Sequence, residues 1–160
     1  MKSTQLKKFF PAFVLAVILF GAFTQSNAAV AKDCNLVTVT SKAHFSETVS
    51  ALRTMVAKNG MMVLSELNQG KILSMTGLKL NAVTLFIGNP NIGKKLFSAN
   101  PGVGVAIPVR VNIYEGKDGK THINYVKPSV QLASFKGEVI QKTAAMLDKK
   151  LAMLTSMLSQ

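Results

Sequence analysis

Residues 105–126, VAIPVRVNIYEGKDGKTHINYV, alternate apolar and polar side chains on both sides of Lys117-Asp118-Gly119. Alternation with a period of two around a glycine-bearing turn specifies a β-hairpin with one buried face. Val105 to Tyr114 reads as its first strand and Thr121 to Val126 as its second. Two registers compete. A two-residue loop of Asp118 and Gly119 sets Ile113 opposite Asn124 and Val111 opposite Val126. A three-residue loop with Gly119 left-handed sets Ile113 opposite Ile123 and Val111 opposite Tyr125. Opposed residues share a face, so the second register matches like with like and is the one expected. Val109, Val111, Ile113, Ile123 and Tyr125 then form one face. Arg110, Asn112, Tyr114, His122 and Asn124 form the other.

Downstream, Ile140, Ala144, Leu147, Leu151, Leu154 and Leu158 recur at alternating spacings of four and three. This is the stripe of a long helix over about residues 136–158 that covers a sheet or another helix. Met146, Met153 and Met157 are expected to widen the stripe, with Lys142, Lys149 and Lys150 off it. The repeat is too short to argue a coiled coil.

Upstream, Leu36 to Thr40 is β-branched and reads as a strand. Phe45, Val49, Leu52 and Val56 then mark a helix, with Glu47 in its first turn and His44 at the cap position. Asn59-Gly60 ends it. Met61 to Leu67 and Asn81 to Ile87 read as further strands. The stretch from Asn68 to Leu80 stays open between a helical turn and a strand. Asn89 caps a short helix that begins at Pro90, with Leu96 and Phe97 expected to face inward and Asn100-Pro101-Gly102 as its end. Adjacent strands with helices set between them specify an α+β fold with a largely antiparallel sheet.

The 160 residues are 48% hydrophobic and 16% charged, with one cysteine and no tryptophan. That suffices for one packed core and excludes a disordered tail, a collagen-like fibre and a disulfide scaffold. Residues 1–28 read as a cleaved signal peptide. Lys2, Lys7 and Lys8 precede an apolar run from Phe9 to Phe23, and Ser26-Asn27-Ala28 fits the cleavage rule, with a second site after Ala31. The apolar run is short for a bilayer span, so no stable membrane insertion is expected after cleavage. Cleavage removes three of the 19 basic residues and none of the seven acidic ones, leaving +9 of the original +12. A periplasmic or secreted location is expected. Residues 29–35 read as a flexible N-terminus and residues 36–160 as a single domain. Cys34 lies too far from the apolar run for lipid attachment; it is a free thiol or pairs with a second copy.

Further residues carry a family resemblance. They are Phe45-Ser46-Glu47-Thr48-Val49, Gly88-Asn89-Pro90, Asn100-Pro101, Ile107-Pro108-Val109, Tyr114-Glu115 and Asp118-Gly119-Lys120-Thr121. In this order and spacing the chain resembles the "domain of unknown function 302" family over roughly residues 36–130. The resemblance implies a two-layer sandwich, a curved, mainly antiparallel sheet under two helices, similar to the TATA-binding-protein arrangement. It implies that dimers are plausible, and it implies no activity. Members of that family often carry an acidic residue and a histidine after the second strand. This chain has Glu66-Leu67-Asn68-Gln69 there, and amides are weak metal ligands.

Gly88 to Lys94 matches G-x-x-x-x-G-K, but Lys95 stands where a phosphate loop needs Ser or Thr, and Pro90 removes an N–H donor. A strand-to-helix turn capped by Asn89 accounts for the residues. What remains of the phosphate reading is an anion at that helix N-terminus, helped by Lys94 and Lys95. His44 and His122 are the only histidines and show no metal-ligand spacing, so neither a metal nor a cofactor is expected. The lysines are dispersed, without a basic run, which argues against nucleic acid.

The expectation is therefore a non-catalytic binding domain for a small or anionic ligand or a protein partner, with a homodimer as one form. Arg110, Asn112, Tyr114, His122 and Asn124 are the ligand-binding candidates, followed by Asn89, Lys94 and Lys95. The alternative is an enzyme using His122 with Glu115 or Tyr114. An open polar sheet favours binding, and a closed pocket around a buried His122 favours chemistry.

Overall fold

The computed structural model describes residues 35–159. Residues 1–28, read as a signal peptide, the cleavage positions expected after Ala28 and Ala31, and Cys34 lie outside the described residues. Five strands form one antiparallel sheet: β1 (Leu36–Thr40), β2 (Met62–Leu67), β3 (Ala82–Gly88), β4 (Val109–Glu115) and β5 (Thr121–Val126), in the order β1-β5-β4-β3-β2. The helices are α1 (Phe45–Lys58), α2 (Gln69–Ser74), α3 (Pro90–Ala99), α4 (Pro128–Gln131) and α5 (Glu138–Ser156), with a 3-10 turn over Pro101–Val105. The fold is α+β, as the hairpin and the helix stripes led one to expect.

The hairpin adopts the three-residue register. Ile113 pairs with Ile123, Tyr114 with His122 and Asn112 with Asn124. Gly116 N–H donates to Lys120 O at 2.8 Å, closing the loop, and Gly119 has φ +72°. No atom outside its neighbours lies within 4 Å of a Cβ built on Gly119. A side chain there would therefore meet only backbone strain. Gly119→Val should destabilise the chain by more than about 1 kcal/mol, because β-branched residues resist positive φ. Gly119→Asn should recover much of that loss, since Asn tolerates the left-handed region. Denaturant unfolding of the two variants checks the difference.

Pairing extends the core face across the sheet. Val83, Leu85 and Ile87 of β3 oppose Ile113, Val111 and Val109, while Val37 and Val39 of β1 oppose Tyr125 and Ile123. Val49, Leu52 and Val56 of α1 and Leu147, Leu151 and Leu154 of α5 bury against this face. A second cluster, Leu96, Val103, Ala106, Leu132, Ile140 and Ala144, joins α3, the 3-10 turn and the chain after α4 to the start of α5. Lys150 Nζ donates to Asn59 O at 2.8 Å, so α5 also caps the end of α1.

Several local expectations are corrected. Residues 105–108 are not strand: Val105 ends the 3-10 turn, and pairing begins only at Val109, after Pro108, which has no N–H to donate. Residues 69–74 are the helix α2, capped by Asn68, whose side chain accepts from Lys71 N–H at 2.8 Å. Leu96 is fully buried, but Phe97 is 43% exposed and lies against Gly104. Met146, Met153 and Met157 flank the α5 stripe on its solvent side rather than widening its buried part. His44 is the N-cap residue of α1 but makes no side-chain capping bond; Thr48 Oγ1 instead donates to Ala43 O at 3.1 Å.

Candidate functional site

The face opposite the core carries the polar members of the hairpin. Strand pairing arranges it in rungs. Thr84, Asn112, Asn124 and Thr38 run side by side across four strands. Ala82, Tyr114, His122 and Thr40 form the neighbouring rung. The five hairpin residues expected on one face are therefore on one face, and they divide into two groups.

The first group is a directional hydrogen-bond chain. Gln69 Nε2 donates to Thr84 Oγ1 at 2.5 Å, and Thr84 Oγ1 donates to Asn112 Oδ1 at 3.4 Å. Asn112 Nδ2 then donates to Asn124 Oδ1 at 3.1 Å. Each donor is polarised by the bond behind it, a cooperative effect in a partly dry environment. The chain ends at Asn124 Nδ2, which donates to no described residue. Behind it, Gln69 Oε1 is buried without a hydrogen-bond partner among the described residues. Arg110, Thr84, Asn112 and Asn124 line a shallow cavity of about 190 Å³ with Leu36, Val126 and Gln131. Arg110 is exposed and makes no ion pair with a described residue. A guanidinium and a free amide N–H₂ thus open into one hollow, a donor set that suits a carboxylate or phosphate oxygen.

The second group is built on the hairpin turn. The Tyr114 and His122 rings stack with centroids 5.3 Å apart and planes tilted by 32°. His122 Nε2 lies 3.1 Å from both carboxylate oxygens of Asp118, and Nδ1 lies 3.3 Å from Thr40 Oγ1. The His122 imidazole holds the Asp118 carboxyl below the usual carboxylate range, helped by the Lys120 backbone N–H. Gly116 makes room for the pair: a Cβ there would lie 2.6 Å from Asp118 Oδ1 and 2.8 Å from His122 Nε2. Both imidazole nitrogens are engaged, and the bonds staple the turn to β1. Glu115 points to the opposite side of β4 from Tyr114, and its Oε2 accepts from Asn81 Nδ2 at 3.2 Å. The strand therefore does not bring Glu115 to His122, whereas Tyr114 does meet it.

The remaining candidates lie elsewhere. Asn89 caps α3, accepting from the N–H groups of Asn91 and Ile92, and its Nδ2 donates to Gly60 O at 2.7 Å. Lys94 and Lys95 are exposed on α3. Glu66 pairs with Arg53 of α1; after Leu67, Asn68 caps α2 and Gln69 begins the polar chain. Among the described residues no cluster of three or more His, Cys, Asp or Glu could hold a metal. Sequence reasoning missed Thr84, Gln69 and Gln131, and also Asp118 and Thr40. Thr84 carried a signal, as the one polar side chain in the run Ala82-Val-Thr-Leu-Phe-Ile87.

Residues 37–158 match the family described as "Domain of unknown function DUF302". The crystal structure of an uncharacterized conserved DUF302 protein from Bacillus stearothermophilus aligns with a TM-score of 0.72 at 24% identity. The alignment covers 78% of this chain and 98% of that one, and shows a shared fold. The fluoride-specific ion channel FluC 1 of Brucella suis is 30% identical over 98 residues, 61% of this chain and 39% of its own. FluC 1 of Brucella abortus matches at the same identity over 36% of its length. The matched stretch is thus less than two-fifths of either channel. Among the described residues, no helix is long and apolar enough to cross a membrane.

Proposed function

The chain belongs to the DUF302 family, and we propose that it is a non-catalytic binding domain for a small oxyanion, a carboxylate or phosphate, on the exposed face of its sheet. The observation that carries this reading is the one-way chain from Gln69 through Thr84 and Asn112 to Asn124. Among the described residues it ends in a donor with no acceptor, beside an Arg110 with no ion pair. A hydrogen bond to a charged group contributes about 1.5–3 kcal/mol when it is not shared with water. Arg110→Ala and Asn124→Ala should therefore each weaken binding of inorganic phosphate or acetate by about tenfold or more. Arg110→Ala should leave the unfolding midpoint nearly unchanged, whereas Asn124→Ala also strands Asn112 Nδ2 and should lower it modestly. Isothermal titration of the three proteins measures this, with fluoride added as a third probe because the channels above are specific for it. Loss of stability without loss of affinity would make the chain a structural network only. A mass that doubles with concentration, and that Arg110→Glu keeps monomeric, would assign the face to a second copy instead.

We further infer that the domain acts outside the cytoplasm. The support is the Lys2, Lys7 and Lys8 n-region, the apolar run and the small residues at Ser26 and Ala28. N-terminal sequencing of the protein from its native host should begin at Ala29 or Lys32. A product that begins at Met1 or Lys2 would contradict export.

A further inference from the structure

The core face of the sheet is not roofed to its edge. Val37 and Val39 of β1 point to the same side as Ile123 and Tyr125, which are buried, yet both valines are only half-buried. The cause lies in α5. Its leucines join the core cluster on the sheet, and Ala152 and Ser156 on its side toward β1, with Ser159 just beyond its end, are too short to fill the gap. The result is a cavity of about 390 Å³ between β1 and α5, within the size range of small-molecule sites. Val37, Val39 and Ala152 give it an apolar lining.

Its charged lining is uneven. Asp148 is already engaged: Ser129 N–H and Ser129 Oγ donate to its two carboxylate oxygens at 3.0 and 2.5 Å. Lys127 and Lys149 line the same cavity, and neither makes an ion pair with a described residue. The Tyr125 phenol also borders it, near Thr155 and Asp148. Burial pushes that phenol above its ordinary range; Thr155 opposes the shift and the Asp148 charge adds to it. It therefore stays a neutral O–H donor. The cavity thus combines an apolar floor with two ammonium groups in no ion pair among the described residues, one carboxylate held by Ser129 and one hydroxyl, a net charge of about +1.

We propose that the groove between β1 and α5 binds a small amphiphilic carboxylate, its hydrocarbon body on Val37, Val39 and Ala152 and its head group held by Lys127 and Lys149. This site lies on the opposite face of the sheet from Arg110 and does not depend on the oxyanion reading. Each methylene buried should tighten binding about fourfold, so affinity should rise steeply with chain length.

The test is a titration of the full chain, carrying 13C-labelled Val and Ala methyls, with sodium octanoate below its micelle concentration. Acetate and 1-hexanol serve as head-only and body-only controls. Octanoate should shift the Val37, Val39 and Ala152 methyls saturably, acetate should not shift them, and hexanol should bind about tenfold or more weakly. Ala152→Trp should abolish the shifts by filling the groove. If that variant fails to fold, Lys127→Glu/Lys149→Glu carries the test, with an affinity loss of about tenfold or more. Arg110→Ala should leave the octanoate-induced shifts of the Val37, Val39 and Ala152 methyls unchanged, since it removes only the separate carboxylate site on the other face. The proposal is overturned if octanoate leaves these methyls in place, if hexanol shifts them as tightly as octanoate, or if the Val37 and Val39 shifts survive both groove variants. It is also overturned if the same methyls shift with protein concentration alone, which would give the groove to a second copy.

Discussion

Leu151→Ala should lower the unfolding free energy by about 2–5 kcal/mol, and Leu147→Ala by a similar amount. Leu147 and Leu151 are 3% and 2% exposed and belong to the cluster that fills the space between α5 and the sheet. Truncating either removes its transfer free energy and leaves a cavity that the twisted sheet cannot close. Lys149→Ala, two positions from each on the exposed side of the same helix, should change stability by less than about 0.5 kcal/mol. Urea unfolding of all three variants measures the contrast. Equal losses would mean that α5 packs in another rotation, and the groove beside β1 would not exist as described.

Gly70→Ala should have the next largest effect. A Cβ at this position would lie 2.4 Å from the carbonyl oxygen of Leu80 and 3.3 Å from the backbone nitrogen of Ala82. Both are backbone atoms, so no rotamer change relieves the overlap. Either α2 lifts or the entry to β3 shifts, at a cost of about 1–3 kcal/mol. The consequence reaches the site, because Gln69 is the neighbouring residue and starts the chain through Thr84. Gly70→Ala should therefore lose stability and also weaken phosphate binding at Arg110, a pairing that Gly119→Val, at the far end of the hairpin, should not show. Unfolding and titration of the two variants side by side check this.

These variants also mark how far the residues could be read before the coordinates. The hairpin register was legible because, of the two loops that Gly119 permits, only the three-residue one matches apolar with apolar at Ile113 as well as at Val111. The α5 stripe was legible because its period persists over five turns. What local pattern could not show was which flank of a helix a neighbour covers. Met146, Met153 and Met157 are apolar beside the stripe, but their flank faces solvent. Local pattern did not decide between helical turn and strand for α2, although Asn68 is a good cap, because Ile72, Leu73 and Met75 follow no single period and none is buried. The site was half legible. Alternation put Arg110, Asn112 and Asn124 on one face. Thr84 and Gln69 joined them only through pairing of β3 with β4 and the docking of α2, contacts that no local spacing encodes. Asp118 and Thr40 came to His122 in the same way, across the turn and the neighbouring strand.

Amide chemical-shift mapping of the 15N-labelled chain with inorganic phosphate tests the oxyanion reading most directly. Shifts should concentrate at Arg110, Asn112, Asn124 and Gln131, saturate together and vanish in Arg110→Ala. Shifts confined to Asn91, Lys94 and Lys95 at the start of α3, or absent throughout, would contradict it.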